Sequence, residues 1–247
     1  MNAPGGRPPN PRRGAAIHNM VAHDLGVAIS GGQLQPGTSI PGEEKFSAEN
    51  GISRSAYREA VKLLAGKGLV QSKPRSGTRV SPRPQWNMLD LDVLAWIFEA
   101  GPGSDFINSI FELRAIVEPE AAALAAERRT ARELVGMGHA LEEMERWSLR
   151  TTEGRAADER FHSLILHATR NEPLISLSSS IAAAVKWTSK FAREDGHQMR
   201  DPMPDHFAVF DALAAADSAG ARQAMAALVR NASADAVIPT QRPQPSD

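Results

Sequence analysis

The chain of 247 residues is long enough for two domains that each have a hydrophobic core. It contains no cysteine, which excludes a disulfide framework, a thiolate metal site and a cysteine nucleophile. Its net charge is −1, but the charges are unevenly distributed along the chain. Residues 1–84 hold 12 Lys and Arg against 5 Asp and Glu, whereas residues 85–247 hold 16 against 24. A basic head on an acidic body is typical of a DNA-binding protein, because neutralised phosphates supply most of the non-specific affinity for DNA.

The first segment, residues 1–14, is rich in Pro, Gly, Asn and Arg and contains no apolar run. This composition predicts a disordered basic arm rather than a signal peptide. Apolar residues then recur once per helical turn and predict an amphipathic helix that carries Ile17, Val21, Leu25 and Ile29. No stretch is apolar over the length of a membrane span, and we therefore expect a cytoplasmic protein without a membrane partner.

A second helix is predicted near Glu43, and a third, basic helix follows the N-cap residue Ser53. One side of the third helix is basic and polar, and it carries Arg54, Ser55, Arg58 and Lys62. The opposite side is apolar and carries Tyr57, Val61 and Leu64. Residues 73–80 predict a basic hairpin between two short strands. Together these elements predict an N-terminal winged helix-turn-helix of the α+β type.

Residues 83–103 predict a linker with enough apolar side chains to dock, among them Trp86, Leu94 and Trp96. Helical periodicity without a strand pattern then predicts helices over 104–128, 131–150, 154–171, 173–194, 203–216 and 218–236. The predicted fold is therefore mainly α, with the winged helix-turn-helix followed by a C-terminal all-α helical bundle. The predicted boundaries are an arm over 1–14, a DNA-binding domain over 15–82, the linker over 83–103, a helical domain over 104–236 and a disordered tail over 237–247.

Three polar groups interrupt the apolar stripes of the predicted bundle. Arg114 lies on the stripe of the first body helix, where its planar donors need a partner that a carboxylate matches best. Asp158 and His162 are four residues apart on the third body helix, so their side chains project side by side. His206 lies on the apolar face of the fifth helix. Three such groups in one bundle predict a polar cavity.

Simpler explanations of these groups remain open at this stage. Arg114 could be neutralised within the chain by Glu118 or Glu120, and this alternative competes evenly with the capture of a ligand carboxylate. Asp158 and His162 could form a hydrogen-bonded core pair, since residues at this spacing interact for many reasons. His206 adds a third candidate ligand and strengthens the case for a metal.

The residues that carry these features resemble a known family. The head resembles the GntR superfamily of bacterial transcription regulators, and the body resembles its FadR-type branch, which has an FCD effector domain. The similarity covers about residues 15–236, and its motifs are 43–80, 111–114 with Glu118 and Pro119, 158–162, 171–174 and 206–213. The junction over 86–96 is similar to galactonate-responsive members of the family in particular.

The resemblance implies a dimer that binds double-stranded DNA at a palindromic operator. Its recognition helix and wing would contact DNA through Ser53, Arg54, Ser55, Arg58, Thr78 and Arg79. One position departs from the family pattern, because Glu44 stands where a basic residue is usual. This replacement removes one expected phosphate contact.

The resemblance also implies a small carboxylate effector held by Arg114, beside a divalent metal such as zinc. The family holds this metal with one Asp and three His, and Asp158, His162 and His206 match three of the four. Leu228 occupies the position of the remaining histidine, so the fourth protein ligand is missing. Three ligands with water or the effector still suffice for a divalent ion. Asn231, one turn beyond Leu228, offers hydrogen bonds to a hydroxylated ligand.

We therefore expect a ligand-responsive, homodimeric transcription regulator that represses sugar-acid genes and is released by a galactonate-like effector. The expected effector-binding residues are Arg114, Asp158, His162, His206 and Asn231, and three of them are also the expected metal ligands. One alternative is a regulator that senses a different small carboxylate. A second is a metal-dependent hydrolase that uses Asp158, His162 and His206. No general base or nucleophile motif supports the hydrolase, and we do not expect an enzyme.

Overall fold

The structure is a computed structural model that describes residues 11–73, 77–191 and 200–236. It divides into two compact units, Met1–Gly101 and Pro102–Asp247. Most of the predicted arm 1–14 and the whole predicted tail 237–247 lie outside the described residues. The arm prediction is wrong at its end, because the first helix already begins at Pro11. The low apolar content of residues 11–14 gave no sign of this extension.

The first unit combines helices with one small antiparallel sheet. Its described elements are α1 (Pro11–Ser30), α2 (Glu43–Asn50), α3 (Arg54–Gly66), β1 (Val70–Lys73), β2 (Gly77–Val80) and α4 (Leu91–Glu99). The two strands pair in a register that places Val70 opposite Val80 and Ser72 opposite Thr78. This arrangement confirms the predicted winged helix-turn-helix, although the tip of its hairpin, residues 74–76, lies outside the described part.

Helix α3 is fixed to the rest of the first unit by its apolar side. Tyr57 is buried, stacks on Phe46 with ring centroids 4.5 Å apart, and donates a hydrogen bond from its hydroxyl to the carbonyl of Pro41. Leu64, two turns further along, is fully buried. These contacts hold α3 against α2 and leave its opposite side, with Arg54 and Arg58, exposed.

The segment predicted as a linker, residues 83–103, contains helix α4, which packs on α1 within the first unit. Asp90 caps α4, because its carboxylate accepts hydrogen bonds from the backbone N–H groups of Asp92 and Val93. The contact with α1 is close at Gly26, where an added Cβ would lie 2.3 Å from Cε3 of Trp96. Glycine therefore lets the two helices approach.

The second unit consists of helices in its described part. These are α5 (Ser104–Arg128), α6 (Ala131–Trp147), α7 (Thr152–Ala168), α8 (Glu172–Ser176), α9 (Ser178–Phe191), α10 (Met203–Ala214) and α11 (Ser218–Asp235). Helix α5 packs along α11, and α7 lies between α6 and α9. The predicted all-α bundle is confirmed. Among the residues that the structure describes, no helix combines the length and apolarity that crossing a bilayer requires.

The predicted fourth body helix, 173–194, is wrong in one respect. It is divided at Leu177 into α8 and α9, and its last residues, 192–194, lie outside the described ranges. The hydroxyl of Ser176 donates to the carbonyl of Pro173 at 2.7 Å. A serine that bonds to the backbone in this way competes with the helical hydrogen bonds, and this one lies where α8 ends.

We expect Gly26→Ala to destabilise the first unit by about 1–3 kcal/mol, because the new methyl group would overlap Trp96 in a packed contact. The matched control is Gly66→Ala, at the end of α3, where an added Cβ meets no atom within 4 Å. That substitution should be neutral or slightly stabilising. Urea unfolding followed by tryptophan fluorescence measures both, and equal stability of the two variants would contradict the proposed contact.

Candidate functional site

The exposed side of α3 begins at a serine cap. Ser53 accepts a hydrogen bond through Oγ from the N–H of Ala56 at 3.2 Å, which confirms the predicted N-cap. Arg54, Ser55 and Arg58 follow on the exposed side. The cap therefore places two guanidinium groups near the start of the helix, where they face away from the core.

Both arginines are paired with carboxylates of α2. Arg58 binds Glu43 with two hydrogen bonds, from Nε at 3.1 Å and from Nη2 at 2.9 Å. Nη1 of Arg54 lies 3.1 Å from Oε1 of Glu44. Exposed pairs of this kind contribute only about 0–1 kcal/mol, so DNA can compete for the guanidinium groups. Glu44 thus has two effects: it replaces a residue that would contact phosphate, and its carboxylate pairs with Arg54.

A groove of about 510 Å³ lies between α2, α3 and the hairpin. Its walls include Arg58, Lys62 and Thr78. The hydroxyl of Thr78 is within 2.8 Å of the hydroxyl of Ser72 on the paired strand. Arg79 does not line the groove, and its Nη1 donates to the carbonyl of Gly37 at 2.9 Å. The groove presents cationic and hydroxyl donors, the groups that bind a phosphate backbone.

In the second unit, a buried chain of charges starts at Arg114. This residue is 2% exposed. Its Nε donates to Oε1 of Glu118 at 2.6 Å, and its Nη1 donates to Oγ1 of Thr188 on α9 at 2.8 Å. The other carboxylate oxygen of Glu118 lies 2.5 Å from Nδ1 of His162 on α7. Glu118 therefore joins the arginine to the histidine.

The same histidine belongs to a group of three converging side chains. Nε2 of His162 lies 3.4 Å from Oδ1 of Asp158, and Nε2 of His206 lies 3.1 Å from the same oxygen. Nδ1 of His206 is 2.8 Å from the carbonyl of Pro202. One ligand atom from each of Asp158, His162 and His206 falls within 4.8 Å of the others, and all three residues are buried. The sequence prediction that these residues lie together is correct in geometry.

Comparison with known proteins identifies the family of the chain. Residues 17–80 match the family model for bacterial regulatory proteins of the gntR family, and residues 109–231 match the FCD domain. The chain is 34% identical over 208 residues to the galactonate operon transcriptional repressor of Escherichia coli K12, across 83% of this chain and 90% of the repressor. This chain belongs to the GntR family. It is a ligand-responsive, DNA-binding transcription regulator with an FCD domain.

A second relative of this GntR-family chain is the uncharacterized HTH-type regulator YieP of Escherichia coli K12, 31% identical across 86% of this chain and 92% of that protein. Among solved structures, Lar, which controls expression of the Listeria monocytogenes agr system, matches with a TM-score of 0.63 and 19% identity. The match covers 90% of this chain and 95% of Lar, and it shows a shared fold. Both Escherichia coli relatives are named as transcriptional regulators.

The charges of the cluster are balanced inside the regulator. Burial opposes ionisation of Glu118, but Arg114 and His162 outweigh it and lower the pKa of the carboxyl to about 2. Burial also opposes ionisation of Asp158, yet hydrogen bonds from His162 and His206 hold its pKa well below the usual range. Burial favours neutral His162, but Glu118 and Asp158 raise the pKa of the ring to about 9. Two anions thus face an imidazolium and a guanidinium.

The donor set of the cluster fits a divalent ion. Both ring nitrogens of His162 and Oε2 of Glu118 are buried without a hydrogen bond of regular geometry, although the contact between Nδ1 and Oε2 is short. Buried polar atoms in this state are available to a ligand. Asp158 and His206 complete an oxygen and nitrogen set that suits zinc or a similar metal. Leu228, at the position of the family's remaining histidine, is 3% exposed and belongs to the apolar core.

Several candidate site residues have partners within the protein. Arg114 has the internal partner Glu118, while Glu120 binds Arg222 on the surface at 2.7 and 2.9 Å. The amide nitrogen of Asn231, predicted for the effector, donates to Asp205 at 3.0 Å. The sequence analysis missed Thr188 and Pro202, because a threonine or a backbone carbonyl near a helix start carries no pattern that marks it. Glu118 had such a signal in its spacing of one turn from Arg114.

Proposed function

We propose that this regulator is a homodimeric repressor of sugar-acid genes that leaves a palindromic operator when a small carboxylate binds to the helical unit. The single observation that carries the proposal is the buried guanidinium of Arg114 beside a cluster of metal-ligating side chains. The name of the galactonate operon transcriptional repressor supports the choice of sugar acid. As a DNA-binding regulator of a bacterial family, the protein would act in the cytoplasm.

The proposed chemistry assigns a part of the ligand to each group. The carboxylate of the acid would pair with the planar donors of Arg114 in competition with Glu118, which already accepts a hydrogen bond from Nε. Hydroxyl groups meet His206, Asn231 or a bound cation. Asp158, His162 and His206 would hold the cation, which would supply positive charge for the oxygen atoms of the acid. A regulator of the same class that senses a different small carboxylate is the second candidate, because Arg114 recognises the carboxylate and not the carbon chain.

We expect Arg54→Ala and Arg58→Ala each to weaken operator binding, because both side chains lie on the exposed side of α3. A bidentate base contact is worth about 1–3 kcal/mol, roughly 5- to 150-fold in affinity. The operator is selected from a random duplex library with the parent protein, and binding is measured at one fixed salt concentration.

The matched control for the DNA experiment is Arg222→Ala. Arg222 is an exposed arginine that binds a glutamate with two hydrogen bonds, as Arg58 does, but it lies in the second unit. This variant should bind the operator like the parent. If both α3 variants also bind like the parent, α3 is not the helix that reads DNA.

We expect Arg114→Lys to need about 10- to 100-fold more effector to release the operator, because lysine keeps the charge and loses the planar fork. Arg114→Ala should not be released at all. Operator binding without effector should be unchanged in both, because Arg114 and α3 belong to different units. Galactonate and gluconate are titrated against preformed complexes, with circular dichroism as a folding control. A parent complex that no tested acid releases would refute the sugar-acid assignment.

We expect chelator-treated protein to take up at most one divalent ion per chain, and His162→Ala to lower that occupancy. Because the pKa of His162 is raised to about 9, the ion must displace a proton, and its affinity should increase from pH 6 towards pH 9. The control is His167→Ala, an exposed histidine of the same helix. If elemental analysis finds no metal after reconstitution, the metal prediction is wrong. Asp158, His162 and His206 would then bind the acid directly through hydrogen bonds.

A further inference from the structure

Glu118 contacts both Arg114 and His162 in the buried site. Through Oε1 it accepts a hydrogen bond from Arg114 at 2.6 Å, and through Oε2 it approaches His162 at 2.5 Å. Its side chain is 2% exposed, so water does not screen either contact. A single anion therefore stands between the group that would bind a carboxylate and the group that would bind a metal.

The two histidines are oriented in the same way. Each has its Nδ1 beside an acceptor, which is Glu118 for His162 and the carbonyl of Pro202 for His206. Each has its Nε2 beside Oδ1 of Asp158, at 3.4 and 3.1 Å. An acceptor at one ring nitrogen fixes which nitrogen is left for a cation and raises the basicity of the ring. Glu118 thus does for His162 what a backbone carbonyl does for His206.

On its other side, Glu118 competes with an incoming acid. Arg114 already uses Nε for Glu118 and Nη1 for Thr188. A ligand carboxylate would meet a second negative charge beside the guanidinium, and in a buried site like charges repel strongly because little solvent screens them. The presence of Glu118 should therefore lower the affinity for the carboxylate when no cation is bound.

We propose that Glu118 is the positioning residue of the effector site. One of its carboxylate oxygens orients His162 so that Nε2 points towards a cation, and the other oxygen restrains Arg114. This role rests on the proposed function, since it assumes that the site takes a cation and a carboxylate. Its consequence is that the two ligands are coupled. A cation that offsets the charge of Glu118 favours the acid, and by linkage the acid favours the cation.

The test compares Glu118→Gln with Glu120→Gln, two substitutions on the same helix that each remove a carboxylate paired with an arginine. Glu120 binds Arg222 on the surface and lies outside the cluster. Three quantities are measured on the full chain: the affinity of chelated protein for Zn²⁺, its affinity for galactonate without metal, and the Nδ1 chemical shift of His162 in long-range proton–nitrogen spectra.

Glu118→Gln should weaken Zn²⁺ binding by about 10- to 100-fold, as loss of an outer carboxylate does at other metal sites. It should also strengthen metal-free galactonate binding by at least about threefold, because one repulsive charge is gone. Glu120→Gln should change neither. These opposite effects separate positioning from a structural defect, which would weaken both ligands together.

Glu118→Gln that binds both ligands like the parent, or that loses both in parallel, overturns the proposal. If the parent binds neither Zn²⁺ nor galactonate, the proposed function fails and the spectra decide on Glu118 alone. A shift of the His162 Nδ1 resonance in Glu118→Gln, with none in Glu120→Gln, supports the positioning role. An unchanged resonance in both variants refutes it.

Discussion

The helical unit depends on the neutralisation of a guanidinium that has no access to water. An unpaired charge in such an interior costs several kcal/mol, so Arg114 requires an anion within reach. Glu118 meets this requirement one turn away on the same helix, but it is itself a buried charge. Asp158 adds a second anion, which the imidazolium of His162 balances. Two cations thus face two anions, and the contact between Glu118 and His162 ties α5 to α7.

Apolar packing holds the helices on which these charges lie. After Glu118, α5 continues with Ala121, Ala122 and Ala125, all fully buried in the apolar core, and it packs along α11. Small side chains let two helices approach closely over this length. The part of α5 after Glu118 therefore anchors the helix, while its middle turns present Arg114 and Glu118 to α7 and α9. Substitution of a core alanine by a larger residue would move Arg114 and Glu118 without touching either.

Sequence alone predicted the class of the fold and which candidate site residues are neighbours, but not all of their partners. Helical spacing placed Asp158 beside His162 and put Arg114 on a buried face, because both inferences use only the 3.6-residue period. The same period favours Glu118, one turn from Arg114, over Glu120. It could not show that Arg222, 102 residues beyond Glu120, binds that carboxylate on the surface. The apolar side chains of the linker predicted that it docks, but not that it docks on α1, since a glycine that admits a tryptophan leaves no periodic signal.

The regulator uses the pair of arginine and glutamate in two physically different settings. On the exposed face of α3, Arg58 and Glu43 form a bidentate pair in water, where such a pair contributes little and exchanges readily for a phosphate or a base. In the body, Arg114 and Glu118 form a buried pair, where separation exposes both charges to a low dielectric. DNA can therefore bind Arg58 in place of Glu43, and no other group is needed to neutralise Glu43, which remains in water. A ligand in the body can take Arg114 only if it brings a carboxylate of its own and if a positive charge, from His162 or a cation, remains beside Glu118.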